Sequence, residues 1–259
     1  MIIALTLSLM ALTFDSLGSL GRLGNQLFQY ASLRGISSHL GYEYLFPSCD
    51  IELCSVFDIP LKIGTGNSNR LSPYGFEFDS NLYDTCPDGT DLYGFFQSEK
   101  YFKCIEDTLR KELNFAKETK SFCNHYIKSR FQDKKLISIH VRRGDYLKEN
   151  NFVNLSLEYY LNGLSILPTT SVLVLSDDPE WCKKNFTDER FTVIESNNFA
   201  VDLCMMSLCD YHIIANSSFS WWGSWLSKSK KTIAPLQWFQ NDYSHWNTKD
   251  LYLPDWIVI

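Results

Sequence analysis

The run Leu136-Ile137-Ser138-Ile139-His140-Val141 stops abruptly on Arg142-Arg143-Gly144-Asp145. A short, nearly continuous apolar strand is the pattern of a segment buried on both faces, as in a parallel sheet covered by helices. Ligands of open α/β sheets bind at the carboxyl edge of the strands, which is where this run delivers its charges. Two guanidiniums at that edge suit a diphosphate. Arg142 and Arg143 alternate across the strand end and so point apart. Arg142 shares a face with His140 and is the better candidate for the diphosphate. Arg143 is then free to pair with a carboxylate or support the loop. Asp145 can orient an arginine or accept a proton from a substrate hydroxyl; a structural ion pair is the plainer reading.

The same alternation runs through the C-terminal half. Val172–Leu175, Thr192–Ile194, Tyr211–Ala215 and Thr232–Ala234 read as strands. Ser156–Leu167, Pro179–Phe186, Val201–Cys209 and Ser220–Leu226 read as helices between them, which implies right-handed parallel crossovers. The N-terminal part opens as βαβ. A strand is expected within Met1–Phe14, a helix from about Asn25 to Leu40 closed by Gly41, and a strand at Tyr42–Phe46. Residues 47–90 show no persuasive period. A short strand is expected at Asp91–Phe96 and a charged helix over Glu99–Lys128. The expected fold class is α/β, in two Rossmann-like domains, 1–130 and 131–259.

Composition excludes several functions. A chain of 259 residues with 45% hydrophobic and 21% charged residues builds a buried core and is not disordered. Net charge is −6 and no basic stripe appears, which argues against nucleic acid as a partner. The eight cysteines form no C-x-x-C pair and no zinc spacing, and read as buried thiols of a reducing compartment, with a secreted form carrying some disulfides as the alternative. Met1–Phe14 is apolar but too short to span a bilayer, and lacks a basic n-region. A buried first strand in a cytoplasmic or membrane-associated protein is expected, with peripheral membrane contact kept open. A truncated signal anchor of a Golgi-lumenal protein is the alternative.

Four further segments carry candidate chemistry. In Gly21-Arg22-Leu23-Gly24-Asn25-Gln26 the glycines permit a tight turn, and Asn25 is expected to cap a helix whose N-terminus faces an anion. A simple capped turn is an equal reading. In Ser176-Asp177-Asp178-Pro179, Asp178 before a proline is a good helix start; Asp177 has no such role. In Asn216-Ser217-Ser218-Phe219-Ser220-Trp221-Trp222-Gly223 hydroxyls gather at a strand–helix junction, while Trp221 and Trp225 share a packing face. Asp202 opens a helix and could accept paired hydrogen bonds from a guanine edge, or simply favour the helix dipole. No Asp-x-Asp occurs, so charge neutralisation by arginine without a metal is expected.

Together, and in order over residues 21 to 226, these segments resemble the α-1,2-fucosyltransferases of glycosyltransferase family 11, which share features with the protein O-fucosyltransferases and α-1,6-fucosyltransferases. The resemblance implies a GT-B architecture, two Rossmann-like domains facing a cleft, with the acceptor on the N-terminal domain and GDP-fucose on the C-terminal one. It implies an inverting transfer from GDP-fucose to a galactose-terminated glycan, with no metal or other cofactor. Arg142, assisted by Asn25, would stabilise the departing GDP. Asp145, or secondly Glu149, would be the base, although a dissociative path needs no strong one. Gly24, His140, Arg143, Asp177, Asp202, Ser217, Ser218, Phe219 and Ser220 complete the implied donor-binding set. A transferase using another nucleotide sugar, and a non-catalytic GDP- or glycan-binding module, remain as alternatives.

Overall fold

A computed structural model describes residues 10–60, 62–65, 69–132, 134–227, 229–240, 243 and 245–259. Most of the apolar opening, residues 1–9, lies outside them; within them the first strand is β1, Ala11–Thr13. The chain divides into two compact units between Asn114 and Phe115.

In the first unit β1 is followed by α1 (Leu23–Leu40), β2 (Glu43–Leu45), α2 (Glu52–Val56), β3 (Asn69–Leu71), α3 (Ser80–Thr85), β4 (Thr90–Leu92) and α4 (Glu106–Glu112). The strands pair in parallel in the order β2-β1-β4-β3. Helix α1 is the spine of this unit, with Leu23, Leu27, Phe28, Tyr30, Leu33 and Ile36 all buried. It ends where Gly41 turns left-handed at φ 73°, as expected of a glycine closing a helix. Glu112 ties α4 back to α1, pairing with Arg34 and accepting from the Tyr30 hydroxyl at 2.8 Å.

The second unit begins with α5 (Lys117–Phe131) and runs through β5 (Leu136–Val141), α6 (Leu157–Ile166), β6 (Ser171–Ser176), α7 (Pro179–Asn185) and β7 (Phe191–Val193). It continues with α8 (Phe199–Ser207), β8 (Tyr211–Ile213), α9 (Ser218–Leu226), β9 (Lys231–Ala234) and β10 (Ile257–Val258). Its sheet is parallel throughout, in the order β10-β9-β8-β5-β6-β7. All six residues of β5 are buried, which is what its unbroken apolar run required. One polar pair sits inside that sheet. Ser138 and His212 are register partners, 2.6 Å apart through Oγ and Nδ1, and Ser227 Oγ lies 2.8 Å from His212 Nε2. Burial pushes the His212 pKa down to about 3, so the ring stays neutral and both nitrogens are satisfied.

Two expectations need correction. Glu99–Lys128 is not one helix. It breaks into 3-10 turns at Glu99–Tyr101 and Lys103–Ile105, then α4 and α5, because Tyr101, Phe102, Leu113 and Phe115 all turn into cores that a single amphipathic face could not reach. The boundary falls at 114/115, not 130/131, because α5 packs on α8 of the second unit. Residues 47–90 hold α2, β3 and α3, elements too short to show a period. Among the described residues no helix is long and apolar enough to cross a membrane. All eight cysteines are free, and Cys86, Cys123, Cys182, Cys204 and Cys209 are buried.

Helix α1 meets the chain at Tyr101 across a glycine. A Cβ on Gly35 would lie 2.1 Å from the Tyr101 carbonyl oxygen and 2.6 Å from the Phe102 Cα, both backbone atoms. Gly35→Ala must therefore push the two segments apart, at an expected cost of about 2 kcal/mol in equilibrium urea unfolding. A change below about 0.5 kcal/mol would show the contact to be slack.

Candidate active site

In the second sheet the chain order reverses between neighbours β5 and β8: β6 and β7 lie to one side, β9 and β10 to the other. That is the topological switch point, and its carboxyl edge is the ligand position of open α/β sheets. Here β5 delivers His140, Arg142 and Arg143, β6 delivers Asp177 and Asp178, and β8 leads through Asn216 into α9.

The loop after β5 is set by Asp177. Its carboxylate accepts from the backbone N–H of Arg143 (2.9 Å) and Gly144 (3.1 Å), and pairs with Arg142 Nη1 at 3.2 Å. A Cβ on Gly144 would stand 2.8 Å from Asp177 Oδ2, so the carboxylate occupies the space a side chain would take. Arg142 Nη2 also donates to Asp145 Oδ2 at 2.7 Å. Burial opposes the Arg142 charge, but Asp177 and Asp145 outweigh it and raise its pKa above the ordinary arginine value. The buried Arg142 Nε–H has no partner among the described residues. Arg142 is therefore fixed at two nitrogens and unpartnered, among the described residues, at the third.

Arg143 points elsewhere, as the strand alternation required. It donates to Asp178 Oδ2 at 3.1 Å and its guanidinium carbon lies 4.4 Å above the Trp181 ring. Asp178 in turn caps α7 by accepting from the Trp181 N–H at 3.1 Å, with Pro179 in the first turn. This places Arg143 among the residues that hold the loop, not those open to a donor. Asp177, expected as a donor contact, is the clamp of the arginine loop. Glu149 is exposed in the following turn, its N–H donating to the Asp145 carbonyl at 3.1 Å.

His140 is 5% exposed, with Nδ1 unpartnered among the described residues and the Phe219 ring 5.5 Å away. Burial, then the Arg142 charge, lowers its pKa to about 3, so it offers a neutral ring. Asn216, by contrast, is support. Its Nδ2 donates to the carbonyls of Val153 (3.0 Å) and Trp238 (2.7 Å), and its own carbonyl accepts from the Tyr146 hydroxyl at 2.9 Å. Burial raises the Tyr146 pKa, so that hydroxyl keeps its proton. Tyr146 stacks on Phe152 at 4.2 Å. Arginine loop and β8 exit are thereby one rigid body of contacts.

Ser217 is the N-cap of α9 by backbone, but its side chain makes no capping bond; half-exposed Ser218 opens the helix. Ser220 differs from expectation: fully buried, its hydroxyl donates back to the Ala215 and Ser217 carbonyls at 3.2 and 3.1 Å. It is part of the helix turn, not a ligand contact. Trp221, Trp222 and Trp225 are buried packing residues. Asp202 lies in the first turn of α8 and accepts from Ser196 Oγ at 2.6 Å; burial raises its pKa to about 6.

In the first unit Asn25 is not the N-cap. That position is Arg22, and Asn25 is the third residue of α1, with Gly24 buried beside it. The expectation of an open helix start also fails in part, because the Leu23 N–H already donates to the Glu52 carboxylate at 2.6 Å. Asn25 Oδ1 instead accepts from Gln97 Nε2 at 2.8 Å. Sequence reading missed Glu52, Gln97, Tyr146, His212 and the supporting role of Asn216. The apolar run ending at Ala215 was a signal of the last, since a strand end this apolar leaves the Asn216 amide nowhere to go but inward.

Two parallel α/β units, with an arginine loop at the switch point of one, are the build of a GT-B-type glycosyltransferase. Comparison with known proteins makes this particular. The sequence model of Glycosyl transferase family 11 matches residues 84–259. An alpha-1,2-colitosyltransferase of Escherichia coli is 30% identical, over 86% of this chain and 91% of that protein. A galactoside 2-alpha-L-fucosyltransferase of Caenorhabditis elegans is 25% identical, over 82% and 68%. Among solved structures, NodZ alpha-1,6-fucosyltransferase co-crystallized with GDP shares the fold at a TM-score of 0.56 and 12% identity, covering 84% and 92% of the two chains. The chain belongs to glycosyltransferase family 11.

Asp202 yields a pH test. Its folded pKa of about 6 lies above the ordinary 3.8, so the native state holds this proton the longer. That contribution to stability is whole below pH about 4 and is lost as pH rises through about 6. Asp202→Asn should therefore gain stability over the parent across that window and run parallel to it at lower pH. A urea-midpoint difference independent of pH would show that the buried carboxyl is not responsible.

Proposed function

We propose that the protein is an inverting, metal-independent fucosyltransferase that moves L-fucose from GDP-fucose to the 2-hydroxyl of a terminal galactoside. The observation that carries this is Arg142, half-buried and clamped by Asp145 and Asp177 at the switch-point edge of a family 11 chain. As the glycosidic bond breaks, negative charge grows on the leaving diphosphate. A guanidinium already desolvated and oriented stabilises that charge without reorganising at the moment of reaction. Its Nε–H, unpartnered among the described residues, is assigned to it as one donor. Ser218 and the first N–H groups of α9 supply further donors for phosphate oxygens. Neutral His140 and the Asp202 carboxylate are assigned to guanosine, the latter accepting from N1–H and the exocyclic amine.

Asp145 acts first by aiming Arg142. Its Oδ1 is buried and unpartnered among the described residues, and is the atom left to take the proton of the attacking hydroxyl. A transition state with oxocarbenium character asks little of that base, so leaving-group stabilisation carries most of the rate. The absence of any Asp-x-Asp and the arginine at the phosphate position support a reaction without metal. A second reading, the same chemistry with another nucleotide sugar, is favoured by the 30% identity to a colitosyltransferase.

The reading is tested by GDP release from GDP-fucose with EDTA present, with and without β-galactosides. Galactoside-dependent release supports it. GDP binding without release for GDP-fucose, but with release for another GDP-sugar, establishes the second reading. In the same assay Arg142→Ala should lower kcat by about 10²-fold or more while the protein stays folded. Near-parental kcat in the folded variant would mean that Arg142 does not stabilise the leaving diphosphate.

A further inference from the structure

The second unit carries a cavity of about 440 Å3 beside the arginine loop. It lies at the carboxyl edge of the same sheet, on the β9 and β10 side. Pro235, Leu236 and Gln237 leave β9, Ile259 follows β10, and the start of α6 forms the facing wall. The volume is within the range of about 300–1,000 Å3 usual for small-molecule pockets. Every residue that lines it belongs to the second unit.

Its walls are held in place by their own hydrogen bonds. The Leu236 N–H donates to the Ile259 carbonyl at 2.7 Å, and the Ile259 N–H to the Ala234 carbonyl at 3.0 Å. The Tyr252 hydroxyl donates to the Pro235 carbonyl at 2.8 Å. Tyr159 spends its hydroxyl on the Ile214 carbonyl at 2.7 Å, so it is the ring that is left to line the cavity.

The lining has two characters. Val153, Leu155, Tyr159, Pro235 and Ile259 are buried or half-buried and give an apolar floor. Glu158, Asn162 and Gln237 are exposed at the mouth, and their side chains have no partner among the described residues. A planar carboxylate and two planar amides can take adjacent hydroxyls, as acceptors and as donors. No residue of the lining is cationic, so an anionic ligand finds no counter-charge and meets Glu158 as a like charge. A wholly apolar ligand would leave the polar mouth unmet. An uncharged sugar ring, with a face of C–H groups and a rim of hydroxyls, matches both.

Two hydrogen bonds join the cavity to the arginine loop. Asn154, also in the lining, donates through Nδ2 to the Tyr146 carbonyl at 3.0 Å, and the Val153 carbonyl accepts from Asn216 at 3.0 Å. The Tyr146 ring in turn lies 5.4 Å from the guanidinium carbon of Arg142. One residue therefore stands between the cavity and the arginine.

We propose that this cavity is a subsite for an uncharged sugar of the acceptor glycan, the one that carries the terminal galactose. This rests on the proposed function, and puts part of acceptor recognition on the second unit.

The test compares methyl β-galactoside with disaccharides that carry terminal β-galactose on glucose, N-acetylglucosamine or N-acetylgalactosamine. For the parent, kcat/KM with at least one disaccharide should exceed that with the methyl galactoside by roughly 10-fold, chiefly through KM. Asn162→Trp, which fills the cavity from an exposed position of α6, should bring that ratio close to one. A parent that treats all the acceptors alike, or an Asn162→Trp variant that keeps the parental ratio, overturns the proposal. Should the parent transfer no fucose to any of them, the functional reading has failed, and disaccharide binding is read by saturation-transfer NMR instead. Contacts to the reducing-end ring that are lost in Asn162→Trp uphold the subsite; no binding, or binding that the variant keeps, overturns it. Gln237→Trp, from the opposite wall, repeats both measurements if Asn162→Trp does not fold.

Discussion

The carboxylate of Asp177 is the interaction on which the second unit's site depends. It stands at the end of one strand and holds the loop that leaves the next, through two backbone N–H groups and one guanidinium. Backbone amides fix where the loop goes; the guanidinium fixes where the charge goes. Both are set by one rigid group on the register-paired neighbour strand, with Val141 opposite Ser176. The glycine at 144 follows from the same geometry, because the carboxylate fills the space above its Cα. Strand pairing, loop path and charge position are thus one problem with one solution.

The electrostatics of that solution are balanced, not simply basic. Arg142 and Arg143 face Asp145, Asp177 and Asp178, which leaves the cluster one negative charge in excess. An anionic ligand gains here only through donors the carboxylates do not already hold. Such an arrangement has a use. An uncompensated guanidinium pair at the edge of a buried sheet would carry a desolvation cost in the unliganded protein. Carboxylates that hold the arginine in place remove that cost and keep its geometry fixed before a ligand arrives. The orientation of the guanidinium, more than the net charge, is what the loop supplies.

How much of this was legible follows from the range of the forces involved. β5 was readable from end to end because a doubly buried strand admits almost nothing but apolar residues, and Asp178-Pro179 was readable because an N-cap with proline behind it is a local code. The divergence of Arg142 and Arg143 followed from backbone alternation alone. What failed depended on partners far away in sequence. Asn25 looked like a cap because asparagine before a helical run usually is one; the helix instead starts two residues earlier, at Leu23, whose N–H donates to Glu52, 29 residues away. Ser220 looked like a phosphate donor until the Ala215 and Ser217 carbonyls claimed its hydroxyl. The charged stretch 99–128 has a helical composition, but four aromatic and aliphatic side chains, Tyr101, Phe102, Leu113 and Phe115, are drawn into cores and break it.

Two buried amides show a common device in the two units. Asn216 uses its NH2 group to hold the carbonyls of Val153 and Trp238, and Gln97 uses its own to hold the Asn25 carbonyl. In each, the oxygen end is buried without a partner among the described residues. A side chain chosen for stability alone would not leave that oxygen unmet, since an apolar residue of equal size avoids the cost. The amide is retained because it donates in a fixed direction, which an apolar group cannot do. Direction is what a site needs where charge develops along one axis, and a buried amide held at one end supplies it where an apolar side chain cannot.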